Sequence, residues 1–168
     1  FLSFFSKYNL WFDFINLNKK IIGRRITGVW FDAPKIIKRP KPVDFEKEIK
    51  NSKIEKVSRR GKNILIYLTN DQRLTTNDFL LLIHQKMTGH LLVGKWQITK
   101  GNAISLADGV LSEKVNGYIH LIFYLDNGME LALSDLRKFA KVILGPANEI
   151  ENLPELIKLG PDALGESL

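Results

Sequence analysis

From Ile26 onward the chain is written in short apolar runs of four to seven residues broken by turn residues, and this rhythm constrains its fold more than any other feature. The runs are Ile26–Phe31, 54–59, Asn63–Thr69, Phe79–His84, 90–93, Ile119–Leu125, Glu130–Ser134 and 141–144. Each is too short for a globular helix and rich in Ile, Leu, Val and aromatics, which suit a pleated, half-buried surface. The clearest punctuation is Asp126-Asn127-Gly128, where Asn-Gly supplies the positive φ angles of a tight hairpin. Eight such strands predict a sandwich or a barrel. Ile64, Ile66, Leu68, Leu81, Ile83, Ile122 and Leu131 are the expected core.

Helical periodicity is confined to the two ends. Leu10, Phe14, Leu17 and Ile21 recur at spacings of four, three and four, and Gly23 stands where a helix would stop. Ile150, Leu153, Leu156 and Ile157 repeat the pattern before Gly160-Pro161. Between the strands, 34–42 (PKIIKRPKP) holds three prolines and four basic residues, and is expected to cross the surface as an exposed loop outside any sheet. The stretch 101–116 is polar and without clean periodicity, and reads as a long connection between two halves of the sheet system.

At 168 residues with 45% apolar content the chain suits one domain with a real core. It has no cysteine and three histidines, so neither a disulfide framework, a thiolate zinc site nor a cofactor metal is expected. No stretch approaches the ~18 apolar residues of a membrane span, and the apolar start lacks the basic leading region of a secretory signal. A cytoplasmic chain without a membrane partner is the expectation. The formal charge of +7 favours an anionic partner such as nucleic acid. Sixteen of the 25 Lys and Arg residues but only six of the 18 acidic ones fall within the first 62 residues, so one end of the fold should carry the field.

Three segments could carry chemistry. Arg59-Arg60-Gly61-Lys62 precedes an aliphatic strand, which places cations at a strand mouth where phosphates can be held; alone, it also fits an exposed basic turn. It is not a nucleotide P-loop, because the upstream glycine and the following Ser or Thr are missing. The segment 83–90 (IHQKMTGH) joins two strands through a turn containing Met87, which could fill the core or wedge between base steps. In 134–140 (SDLRKFA), Asp135 could pair with Arg137 or cap a turn while Phe139 faces the core. Alternatively, Phe139 stacks on a base and Arg137 reaches a base edge.

In this order, RRGK with its aliphatic strand, IHxxMTG, the DNG hairpin, SDxRKF and LGPDAL (159–164) closely resemble the catalytic N-terminal domain of formamidopyrimidine-DNA glycosylases. The resemblance runs from about Leu17 to Leu164. It implies a mainly β fold, a two-sheet antiparallel β-sandwich flanked by an N-terminal and a C-terminal helix, as a single domain over 1–168. It also implies base-excision repair: an oxidised purine is flipped out of duplex DNA, its glycosidic bond is cleaved, and the strand is nicked by elimination. The implied partner is duplex DNA containing an oxidised base or an abasic site, met by a monomer that associates with the bacterial nucleoid.

The same resemblance implies residue roles. Lys62 matches a lysine that contacts phosphate beside the lesion and moves a proton in the elimination. His84 and His120 match phosphate-contacting histidines, and Lys138 a DNA-contacting basic position. Met87, Arg137 and Phe139 match the trio that fills the void left by the flipped base. Leu136 and Ala140 replace the family's usual proline and glycine. The family's proline nucleophile and adjacent glutamate, in the family start Pro-Glu-Leu-Pro-Glu, fall without a gap on Phe5 and Ser6, within a divergent start (1–16). Neither side chain can do that chemistry, so this chain is expected to bind DNA weakly and not turn over. The family's helical domain and zinc finger would follow the segment 160–168, so no zinc site is expected within these residues. The alternatives are a non-catalytic DNA-binding or damage-sensing module, or a basic sandwich that binds RNA or no nucleic acid.

Overall fold

The computed structural model describes residues 10–72 and 78–159, with side chains from Asn16 onward. Phe5, Ser6 and the segment 160–168 lie outside the described residues, as do the side chains of Leu10 and Phe14. Helix α1 (Leu10–Ile21) leads into β1 (Ile26–Phe31) through Gly23, whose φ of 83° is the left-handed turn the sequence anticipates. There follow β2 (Ile37–Arg39), α2 (Pro42–Ile49), β3 (Lys53–Arg60), β4 (Asn63–Thr69), β5 (Phe79–His84), β6 (His90–Gly94), β7 (Trp96–Thr99) and β8 (Asn102–Ser105). The chain then forms β9 (Ile119–Leu125), β10 (Glu130–Ser134), β11 (Lys141–Pro146), α3 (Ala147–Glu151) and α4 (Pro154–Ile157).

The strands build two packed sheets, in the orders β1-β9-β10-β6 and β2-β11-β5-β4-β3, with a separate β7-β8 hairpin. Every pairing is antiparallel except β2 with β11, which is parallel. The fold is therefore the expected sandwich. Period-two alternation decides what faces what. Ile64, Ile66 and Leu68 of β4 and Leu81 and Ile83 of β5 meet Leu121, Phe123, Leu125, Leu131 and Leu133 of the other sheet in the shared core. Leu17 and Ile21 of α1 and Phe45 and Ile49 of α2 close the same core, with the rings of Phe45 and Phe123 centred 6.2 Å apart. All seven expected core residues are buried, but Ile122 faces outward, where Trp96 and Ala103 of the β7-β8 hairpin cover it. On the opposite outer face, Leu65, Leu80 and Leu82 pack under Ile150 and Leu156 of α3 and α4.

Three expectations are corrected. The proline-rich segment is not a loop outside the sheet: Ile37–Arg39 forms an edge strand whose Ile37 lies opposite Val142. Pro34 and Pro40 flank this strand rather than interrupt it, which an edge tolerates because one row of its backbone groups needs no partner. The single C-terminal helix is two short ones, because Pro154 lacks the N–H to continue the first and instead starts the second. The stretch 101–116 is not one featureless connection, since it contributes β8 and two 3-10 turns, Gly109–Ser112 and Lys114–Asn116.

Candidate nucleic-acid interface

Antiparallel pairing gathers the three chemical segments at one end of the sandwich. Across the second sheet, Arg60 lies opposite Asn63, Asn63 opposite His84, and His84 opposite Lys141. At the same end of the first sheet, His90 lies opposite Ser134, and Ser134 opposite Ile119. The β3-β4 turn, the β5-β6 connection and the β10-β11 connection therefore share one pole. Both of the last two pass from one sheet to the other there.

The loops are stitched together by specific hydrogen bonds. The Gln85 amide donates to the Lys62 carbonyl at 2.9 Å, fixing the β5-β6 connection to the basic turn, and the Gly89 amide closes on the Gln85 carbonyl at 2.9 Å. A Cβ at Gly89 would sit 2.5 Å from that carbonyl oxygen, so this closure admits no side chain. Asp135, fully buried, accepts from the Thr88 hydroxyl through Oδ1 and from the Ala140 amide through Oδ2 at 2.7 Å. Its Oδ1 also lies 3.3 Å from the Arg137 amide. One carboxylate thus holds the turn of the β10-β11 loop and bolts it to the β5-β6 loop. Both loops also carry a lysine in the left-handed region, Lys86 and Lys138, each with φ of 55°.

What this brace presents is exposed. Met87 is 76% and Phe139 59% exposed, and Arg137 is also exposed, so the reading in which Phe139 faces the core is overturned. Leu136, beside them, is 54% exposed. The Lys62 ammonium rests 3.7 Å from the Met87 sulfur, joining the basic turn to the apolar tip. Of its neighbours, Arg59 is folded back, with Nε donating to the Gly61 carbonyl at 2.7 Å.

The histidines differ. His84 accepts the Lys86 amide at Nδ1, 3.0 Å away, so its neutral ring must carry the proton on Nε2. Burial, and then the charge of Lys86, hold its pKa below the ordinary value, which keeps it a neutral donor. His120, only 9% exposed, sets Nδ1 2.7 Å from the carboxylate of Asp32 on the loop after β1, and so meets the interface at its margin. The turn cap expected of Asp135 is present on the Arg137 and Ala140 amides, but its reach to Thr88 was not foreseen, nor was the gathering of Lys35, Lys38, Lys86 and Lys141 beside Lys138 and Phe139. Their signal was weak: five lysines spread over more than a hundred residues show no local pattern. Among the described residues no group of three or more Asp, Glu or His side chains is placed to hold a metal ion. No helix there is long and apolar enough to cross a membrane.

Comparison with known proteins gives this geometry a family. Residues 15–142 match the formamidopyrimidine-DNA glycosylase N-terminal domain. The chain is 32% identical over 150 residues to the formamidopyrimidine-DNA glycosylase of Pelotomaculum thermopropionicum, covering 89% of this chain and 46% of that one. It is 31% identical over 147 residues to the Bacillus cereus (ATCC 14579) protein of the same name, covering 87% and 45%. It therefore spans about half the length of the curated relatives it matches. Among solved structures, the Lactococcus lactis Fpg in complex with an abasic site containing DNA superposes with a TM-score of 0.63 at 24% identity, over 86% of this chain and 44% of that one. The Lactococcus lactis protein bound to a Fapy-dG containing DNA superposes with a TM-score of 0.62. At that identity these two likenesses speak for the fold. Together with the family match over three quarters of its length, they establish that this chain belongs to the formamidopyrimidine-DNA glycosylase family and carries that family's N-terminal domain.

Proposed function

We propose that this chain supplies the lesion-probing surface of a base-excision DNA glycosylase that acts on oxidised purines. It would grip duplex DNA through Lys62, His84, His120 and Lys138 and enter it with Met87, Arg137 and Phe139. The observation that carries this reading is the exposure of Met87 and Phe139 on two loops that a buried Asp135 fastens together beside Lys62. An apolar side chain held in water at an exposed tip gains by entering a stack. Filling the space of an extruded base offsets part of the few kcal/mol that unstacking costs. The Lys62 ammonium and the Nε2–H of neutral His84 donate to phosphate oxygens, which fix the register of the duplex without reading its sequence. When DNA arrives, Lys62 exchanges its weak contact with the Met87 sulfur for a charge-assisted one.

In the family, base removal and strand cleavage use an N-terminal proline amine and a glutamate, which an ungapped count back from Gly23 sets on Phe5 and Ser6. The amide nitrogen of Phe5 is delocalised into the carbonyl and cannot attack a sugar carbon. This observation favours a second reading for the polypeptide of these 168 residues, that of a damage-binding module without turnover. Both readings expect tighter binding to a duplex with one abasic site than to the intact duplex, by fluorescence anisotropy. Both also expect a salt dependence that becomes shallower by about one unit for each phosphate contact removed, as in Lys62→Ala. Borohydride trapping separates them, because an adduct with the abasic duplex demands a working amine and its absence supports the module. If abasic and intact DNA bind alike and Lys62→Ala leaves the salt slope unchanged, both fail.

A further inference from the structure

We infer that Lys35, Lys38, Lys86, Lys138 and Lys141 form a second phosphate-binding site beside the void-filling tip. It would hold backbone phosphates of the same duplex to one side of the lesion. This rests on the DNA-binding reading above and extends its footprint from Lys138 to Lys35, Lys38, Lys86 and Lys141.

The five ammonium-bearing side chains and Phe139 line one open cavity of about 450 Å³. They come from four places in the chain: the 3-10 turn Pro34–Ile36, β2, the β5-β6 loop, and the β10-β11 loop with the start of β11. The parallel pairing of β2 with β11 brings the first two to the last. Little in the structure neutralises them. Among the described residues only Lys141 has a carboxylate within 4.0 Å, that of Glu155 at 3.9 Å, and Lys38 donates to the Lys35 carbonyl at 2.6 Å. Five like charges converging with one distant counter-charge repel one another, and that repulsion is relieved when an anion enters.

The chemistry of the lining selects the anion. Lysine is a point charge on a flexible stem, without the planar fork that recognises a carboxylate two-handed, and the cavity is open rather than enclosed. That suits a chain of phosphodiesters, evenly charged and running across the surface, better than a single small anion. Continuity identifies the strand's owner: Lys86 is adjacent to Met87, while Lys138 lies between Arg137 and Phe139. Both of these lysines adopt the left-handed backbone, a conformation that L residues rarely adopt, and both line the cavity. A duplex entered by Met87 and Phe139 must therefore run past these ammonium groups on one flank.

The test is the full chain carrying Lys35→Glu and Lys38→Glu, two exposed residues with no role in the core or in the void-filling trio. Anisotropy is read on a duplex with a central abasic site across about 50 to 200 mM salt. If the two lysines meet two phosphates, the salt slope becomes shallower by about two units, the affinity falls at least tenfold at the lowest salt, and the preference for abasic over intact DNA is kept. Shortening the duplex from one end should erase the difference between variant and parent, and shortening it from the other should not. Lys35→Gln with Lys38→Gln should move the slope the same way by less, and an unchanged melting temperature certifies the fold of both pairs. If the Glu pair binds with the parent's slope while Lys62→Ala is weakened, the cluster is a solvated surface and the inference is overturned with the DNA-binding reading intact. A parent chain that shows no salt-dependent binding overturns both. Equal competition by inorganic phosphate at low millimolar concentration assigns the cavity to a small anion and overturns the strand.

Discussion

Replacing Asp135 with alanine removes one carboxylate and strands the donors it serves. The Ala140 amide, in a residue only 1% exposed, has no water to turn to, and an unmade buried hydrogen bond costs about 1 to 3 kcal/mol. The Thr88 hydroxyl and the Arg137 amide are nearer the surface and recover part of their loss from solvent. Adding the void left by the side chain, the variant should lose about 3 kcal/mol, towards the lower end for breaking a buried charged network. In a domain of this size that lowers the melting temperature by roughly 6 to 12 °C. Asp135→Asn keeps the shape and one acceptor oxygen but points an N–H₂ at another donor, so it should lose about half as much. The functional signature is separate. With the two loops unfastened, the preference for abasic over intact DNA should shrink. The salt slope should keep the share of Lys62 and His84, which stand on a turn and a strand that Asp135 does not touch, while losing part of the share of Lys86 and Lys138 on the loops themselves. Differential scanning fluorimetry and anisotropy read the two effects. A melting temperature within about 2 °C of the parent, or an abasic preference as strong as the parent's, would refute the idea that one carboxylate organises both loops.

Two further outcomes follow from titrating groups. His84 has a folded pKa below its ordinary value of 6.5, so acid protonates the unfolded chain first, and stability should fall as pH drops through that value. Protonation also sets an Nδ1–H against the Lys86 amide, so His84→Asn, whose side-chain oxygen can accept that amide without titrating, should flatten the profile in denaturant melts between about pH 7 and pH 5. Tyr67 is pushed up to about 12 by burial, by the 2.8 Å hydrogen bond it donates to Glu151, and by the charge of that carboxylate. Its contribution to stability is complete below its usual value of 10.0 and is lost as pH climbs through about 12, so Glu151→Gln should lower its midpoint in an alkaline ultraviolet titration.

The eight longer strands were legible because their core is local in sequence: alternation inside Asn63–Thr69 or Phe79–His84 reports a buried face without knowledge of the partner. Three elements were not. Ile37–Arg39 has only three residues, and its pairing with β11 is settled more than a hundred residues away. Helix α2 did leave a signal, Pro42 at its first turn with Phe45 and Ile49 four apart, hidden by the weight of the prolines before it. The β7-β8 hairpin turns on Lys100 and Gly101, both at positive φ, but its four-residue strands are too short for alternation to stand out. At the interface, motifs located the exposed trio, yet spacing could not find Asp135's reach to Thr88. That bond joins residues 47 apart and exists only once two sheets have packed.

The pole opposite the stitched loops has a different freedom. Strand β9 leaves the interface at Ile119 and ends at Leu125, which carries the Asp126-Asn127-Gly128 turn roughly 20 Å away, and all three turn residues are exposed. Among the described residues no hydrogen bond or ion pair joins that turn to the gathered loops, so it is where a cysteine for a fluorophore, an affinity tag or a surface tether can be placed. A reporter there would ride on the same rigid strand that ends beside the DNA face, close enough for energy transfer from a labelled duplex and too far to obstruct it.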